Sequence, residues 1–158
     1  MKSIRIFLIG IIVFICYALV LAQNTPLPDL TVESVDFEPI PKEGKSIDLV
    51  KISVVNQGQA SSAACVLALS CSVIRCSGNA NCNKVSHAIN ADIAVPSLKN
   101  GEKTILEWKP LEPIRWDSGK YLVGATIDKY NSVQESNEKN NLNKSVIYIK
   151  SLSPRPSD

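Results

Sequence analysis

The sequence predicts an all-β fold, a sandwich of about seven short antiparallel strands around one core. Three observations carry that expectation. Apolar residues recur with a period of two in short runs, placing every second side chain on one face. Clusters of Gly, Pro, Asn, Asp and Ser punctuate those runs as turns. Beyond the first 22 residues, no long stretch shows helical periodicity. Seven or so strands at this spacing are those of an immunoglobulin-type sandwich.

The first 22 residues stand apart. Lys2 and Arg5 precede an apolar run from Ile6 to Leu21, which ends in Val20-Leu21-Ala22. A basic start, an apolar middle and a small residue at the end describe a secretory signal peptide, residues 1–22. The rival, a retained membrane anchor, asks for about 20 apolar residues, longer than this run. Cys16 is no lipoprotein acceptor, because Ile15 before it is too large. Removal of residues 1–22 leaves 136 of the 158 residues and takes Lys2 and Arg5 with it. Lys+Arg then falls from 17 to 15, against 15 acids. A neutral chain without a basic run argues against nucleic acid or an anionic membrane as partner. Residues 23–150 fit one domain with one core, and residues 151–158 read as a polar tail.

Cysteine usage agrees with export. Cys65, Cys71, Cys76 and Cys82 remain after the leader, spaced C-x5-C-x4-C-x5-C, with His87 the lone histidine. Four cysteines in an exported chain read as two disulfides. A structural metal site would want close C-x2-C pairs with histidine support. On a continuous strand Cys65 and Cys71 lie about 20 Å apart, too far to bond. Two connectivities remain open, 65–82 with 71–76 or 65–76 with 71–82. The nested first form suits a hairpin, whereas the turn residues Ser77-Gly78-Asn79-Ala80-Asn81 favour Cys76 and Cys82 as neighbours.

In chain order, Gln23 to Pro28 is a short polar lead. Asp29 to Phe37 is a first strand whose alternation shifts parity after Val32, the mark of a bulge or a switch of sheet. Pro39, Pro41 and Gly44 form a turn. Ser46 to Asn56 is a second strand, with Val50, Ile52 and Val54 on one face, closed by Asn56-Gln57-Gly58. Ala63 to Ile74 is a third, placing Cys65, Leu67, Leu69, Cys71 and Val73 on one parity. Asn83 to Pro96 alternates weakly and returns to the sandwich at Ile93-Ala94-Val95. Glu102 to Lys109 is a half-buried strand with Trp108 at core parity. Pro110 to Ser118 reads as a loop. In Gly119 to Asp128, Tyr121, Val123, Ala125 and Ile127 alternate with Leu122, Gly124 and Thr126. An acidic, Asn-rich turn follows, and Asn143 to Lys150 is the last strand.

These stretches resemble a single CARDB domain, the cell-adhesion-related domain of bacteria and archaea. Four segments carry the resemblance: Pro28-Asp29-Leu30-Thr31-Val32; Val54-Val55-Asn56-Gln57-Gly58; Val95-Pro96-Ser97-Leu98 with Gly101-Glu102; and Gly119-Lys120-Tyr121 through Asp128 to Glu135-Ser136-Asn137-Glu138-Lys139-Asn140-Asn141. Together they span residues 28–149. The resemblance implies a seven-stranded immunoglobulin-like sandwich on an exported protein. This chain departs from the family pattern in standing alone and in a disulfide-containing insertion of about residues 71–92.

Candidate sites are few. Asp128, Asn131, Glu135, Asn137, Glu138 and Asn141 concentrate the oxygen donors that calcium prefers. The same residue types also cap turns through their own backbone, and no EF-hand spacing is present. Tyr121 resembles a tyrosine-corner residue. Trp116, in a loop, is a candidate exposed contact or a rim residue folded over the core. Val146 and Tyr148 on one face and Ile147 and Ile149 on the other make the last strand apolar on both sides, so Val146 and Tyr148 are candidate contacts. Asn143-Lys144-Ser145 is an N-glycosylation sequon. No nucleophile elbow, phosphate loop or HExxH motif occurs, so no enzyme is expected. The expected function is a non-enzymatic binding or adhesion module that recognises a protein or cell-surface component. It is secreted, extracellular or at the cell surface, with the periplasm a further compartment, and carries no cofactor. The alternatives are a calcium- or carbohydrate-binding module and a self-associating structural subunit of a cell-surface assembly.

Overall fold

Nine strands and one short helix form among the described residues, 25–77 and 82–151, of a computed structural model. The expected signal segment 1–22, residues 78–81 of the cysteine turn, and residues 152–158 of the expected tail lie outside them. The strands are β1 (Leu30–Glu38), β2 (Ser46–Ile47), β3 (Leu49–Asn56), β4 (Cys65–Cys76), β5 (Asn90–Val95), β6 (Lys103–Trp108), β7 (Ile114–Arg115), β8 (Gly119–Thr126) and β9 (Leu142–Ile149); helix α1 is Cys82–Ala88. Seven are full strands, and β2 and β7 make a separate two-residue ribbon. One sheet has the order β1-β3-β6 and the facing sheet β5-β4-β8-β9, with every pairing antiparallel.

Alternation explains the core. Val50, Ile52 and Val54 of β3 are fully buried, as are Leu67 and Leu69 of β4 and Tyr121, Val123 and Ala125 of β8. Each large apolar side chain removed from water in this way contributes about 1.5–3 kcal/mol. The parity shift in the first strand is a bulge: pairing with β3 slips between Val32 and Ser34, leaving Glu33 as the extra residue. The slip returns Phe37 to the inside.

Three expectations need correction. The weakly alternating stretch after Cys82 opens as helix α1, and strand β5 begins only at Asn90; Val85 is its buried contact with the core. At seven residues, α1 is too short to reveal a helical period. Neither proposed disulfide connectivity forms. Cys76 bonds Cys82, and Cys65 and Cys71 are free thiols. The reason is the length of β4: it runs unbroken to Cys76, so a 71–76 or 65–76 bond would have to close within one extended strand. Lastly, Trp116 is no exposed contact. The β2–β7 ribbon folds it over the core, where it is fully buried and meets Phe37 and Tyr121 edge-on at centroid distances of 5.3 and 5.2 Å.

Candidate functional site: a clasped end and an open sheet face

The acidic turn between β8 and β9 sits at the end of the sandwich where the chain enters β1. Asp128 and Asn131 adopt positive φ, +46° and +52°, the left-handed region that Asp and Asn tolerate best among residues with a side chain. The Asp128 carboxylate is buried and committed to its own turn. One oxygen accepts from the Ser132 N–H (3.0 Å) and hydroxyl (2.6 Å), and the other from the Val133 N–H (2.8 Å). Glu135, also buried, accepts the N–H of Leu30 and the side-chain amide of Asn141. Glu138 accepts the Glu135 N–H (2.9 Å), and Asn137 the Lys139 N–H (3.2 Å). Ser136 N–H donates to Pro28, and Asn140 to the Asp29 carboxylate. The turn is therefore a clasp that holds the N-terminal lead against the sandwich.

Burial, the largest cause, raises the Glu135 carboxyl to about 7; the Glu138 and Asp128 charges add to it, and the hydrogen bonds from Leu30 and Asn141 oppose it. Of the six candidate calcium ligands, Glu135, Glu138 and Asn141 are linked to one another by hydrogen bonds. Asn131, Asn137 and Glu138 are exposed, and Asp128 is saturated by N–H and hydroxyl donors. Among the described residues, no group of three His, Cys, Asp or Glu side chains is placed to hold a metal. Two buried oxygens at the clasp, Asn140 Oδ1 and Asn141 Oδ1, have no hydrogen-bond partner.

A second clasp lies beside the first and was not singled out as a site from sequence. Asn56 is fully buried and uses its whole amide. Its oxygen accepts from Asp29 and Gly58 N–H, and its nitrogen donates to the Ala60 and Leu98 carbonyls, all at 2.8–3.0 Å. A Cβ on Gly58 would lie 2.4 Å from backbone atoms of Pro28 and Asp29, so only glycine fits. The Asn-x-Gly spacing is the sequence signal that marks this joint.

The outer face of the four-stranded sheet is open. Leu142, Lys144, Val146 and Tyr148 of β9 point outward, with Val146 55% and Tyr148 64% exposed, while Ile149 of the same strand is buried. Register sets Leu122 beside Val146 and Lys120 beside Tyr148. Leu122 and the lysines were missed as face residues, although their alternation with Tyr121 and Val123 placed them there. Asn143 points the other way. Its amide nitrogen donates to the Val32 and Glu33 carbonyls at the β1 bulge (2.9 and 3.2 Å), so the atom that would carry a glycan already holds the two sheets together.

Cys71 and His87 line one open hollow of about 390 Å³ between β4 and α1. Burial pushes the Cys71 thiol up to about 11, and that of Cys65 likewise to about 11. Both stay protonated at neutral pH, the opposite of an activated nucleophile. Tyr121 donates its hydroxyl to the Asp117 carbonyl at 2.9 Å, the geometry of a tyrosine corner.

The CARDB family model matches residues 27–145. Among solved structures, the CARDB domain of a Pyrococcus furiosus protein in complex with di-metal ions superposes with a TM-score of 0.56 at 22% identity, covering 80% of this chain and 97% of that one. A domain from a proposed cell surface protein of Methanosarcina acetivorans has the same TM-score, 0.56, at 19% identity, covering 83% of this chain and 99% of that one. No curated protein sequence matches the chain. No helix among the described residues is long and apolar enough to cross a membrane.

Proposed function

The chain belongs to the CARDB family, a family of non-catalytic domains, and from that premise we propose that it is an exported module that recognises a protein partner at the cell surface. One observation carries the reading: Val146 and Tyr148 stand exposed on the outer face of a sheet whose reverse side packs against the core. An exposed apolar strip on a rigid sheet costs solubility unless something covers it, and face packing by another protein is the direct use of it. The leader-like residues 1–22 and the disulfide between Cys76 and Cys82 support an oxidising destination. The raised thiols of Cys65 and Cys71 support a non-catalytic role.

The test is surface retention. Intact host cells are probed with antibody, comparing the native chain with V146E/Y148S, whose changes lie on the outer face and leave the core intact. Surface labelling of the native chain with loss of the variant to the medium supports the reading. Equal retention of both removes the face from it, and a chain found only inside the cell removes export.

A second reading places a cation at the acidic turn. The orphaned Asn140 and Asn141 oxygens beside Glu135 favour it, and the Pyrococcus domain in complex with di-metal ions makes the comparison apt. Thermal melting with calcium and with chelator decides it: a rise with calcium supports the site, and superimposable curves end it.

A further inference from the structure

The two outer faces of the sandwich carry opposite charge. On the four-stranded sheet, Arg75 and Lys120 lie directly across from each other, and Lys120 is across from Tyr148. The next row is Ser72, Leu122 and Val146, and the row after it Ser70, Gly124 and Lys144. Arg75, Lys120 and Lys144 enter none of the ion pairs among the described residues. The acid among these outward positions, Asp92, is held by both oxygens on Lys129. This face therefore presents three unneutralised cations around an apolar strip. Like charges directly opposed on neighbouring strands are unfavourable in an isolated sheet.

The three-stranded sheet presents the complement. Asp36, Lys51 and Glu107 share one row across β1, β3 and β6. Lys51 pairs with Glu38, and Lys103 with Glu33. Asp36 and Glu107 flank Lys51, whose ion pair is with Glu38, so the row keeps a net negative charge; Ile105, 59% exposed, stands beside it. The face thus combines residual negative charge with an exposed apolar side chain.

Resting on the reading that the outer sheet face is a docking surface, we propose that its partner is a second copy of this chain. The basic face of one copy docks on the acidic face of the next. Two different patches meet, so the contact is head to tail and each added copy leaves one face of each kind free; such contacts give open strings unless the rotation closes a ring. Opposed charge sets the register and the encounter rate, and burial of Leu122, Val146 and Tyr148 against Ile105 supplies the apolar part.

Sedimentation velocity of the exported chain tests this at about 0.02 M and about 0.5 M salt, where screening differs most. The expected result is concentration-dependent growth past the dimer at low salt that shrinks at high salt. K120E/K144E and D36K/E107K, each checked for native circular dichroism, are expected to weaken association about tenfold or more. Their equimolar mixture is expected to associate again. Should a charge reversal disturb folding, K120Q/K144Q reads the same loss. A native chain that stays monomeric at low salt, association indifferent to both swaps, or a mixture that fails to reassociate overturns the proposal. If the native chain is monomeric while V146E/Y148S still loses surface retention, the docking face stands and its partner is a different protein.

Discussion

The carboxylate of Glu135 accepts the backbone N–H of Leu30, 105 positions earlier in the chain, and closes the acidic turn over the start of β1. Both groups are buried, so the bond forms where water does not compete. The Glu135 carboxyl is raised from 4.5 to about 7, chiefly by burial. The folded state therefore binds this proton more tightly than the unfolded state. Its contribution is fully present below about pH 4.5 and is lost as pH rises through about 7. Melting temperature is expected to fall between pH 5 and pH 8, and E135Q is expected to flatten that fall. Glutamine keeps an acceptor for Leu30, and its amide nitrogen can donate to the orphaned Asn141 oxygen once that amide turns over. An unchanged pH profile in E135Q would remove Glu135 as its source.

Asn56 holds three segments together: the lead, its own loop at Gly58 and Ala60, and the strand-joining loop at Leu98. Removing the amide leaves buried donors and acceptors unpaired, each costing about 1–3 kcal/mol. N56A is expected to lose about 3 kcal/mol or more in urea unfolding. N56D is expected to be destabilised to a similar degree, because a carboxylate cannot donate to the Ala60 and Leu98 carbonyls. G58A is expected to be as damaging, since backbone rather than a flexible side chain occupies the space. An N56D as stable as the native chain would show that the two donated bonds contribute little.

Trp116 and Tyr121 separate packing from hydrogen bonding in one cluster. W116A deletes a fully buried indole between Phe37 and Tyr121 and is expected to cost about 3–5 kcal/mol. Y121F keeps the ring and loses only the bond to Asp117, for about 1 kcal/mol. Equilibrium unfolding of both variants checks the ratio. A Y121F as harmful as W116A would mean the corner, rather than ring packing, secures the β2–β7 ribbon.

The fold was legible because the code for strands is local. Val50, Ile52 and Val54, and Tyr121, Val123 and Ala125, announce their buried faces by alternation alone. Even the bulge at Glu33 showed as a parity change. What stayed hidden depends on partners distant in sequence. Trp116 reads as a loop residue until Phe37 and Tyr121 are placed around it. The oxygens of the acidic turn read as free ligands until the Leu30, Ser132 and Val133 donors are known to occupy them. The charge on the two outer faces needs strand order, which alternation does not contain.

The disulfide shows the same limit and yields the last prediction. Counting cysteines led to two bonds, whereas β4 keeps Cys65 and Cys71 apart on one strand and only Cys76 reaches Cys82. The bond spans a sequence separation of 6. A loop that short restricts the unfolded chain modestly, so C76S/C82S is expected to cost about 2 kcal/mol and leave the sandwich folded. Thiol labelling of the exported chain reads the pattern directly. The native protein is expected to label slowly, because burial keeps the Cys65 and Cys71 thiols protonated. Denaturation without reductant is expected to expose two labels, and reduction to expose four. No label on the denatured, unreduced chain would mean that Cys65 and Cys71 are also bonded, which the continuous strand between them forbids within one molecule, and would place that bond between copies.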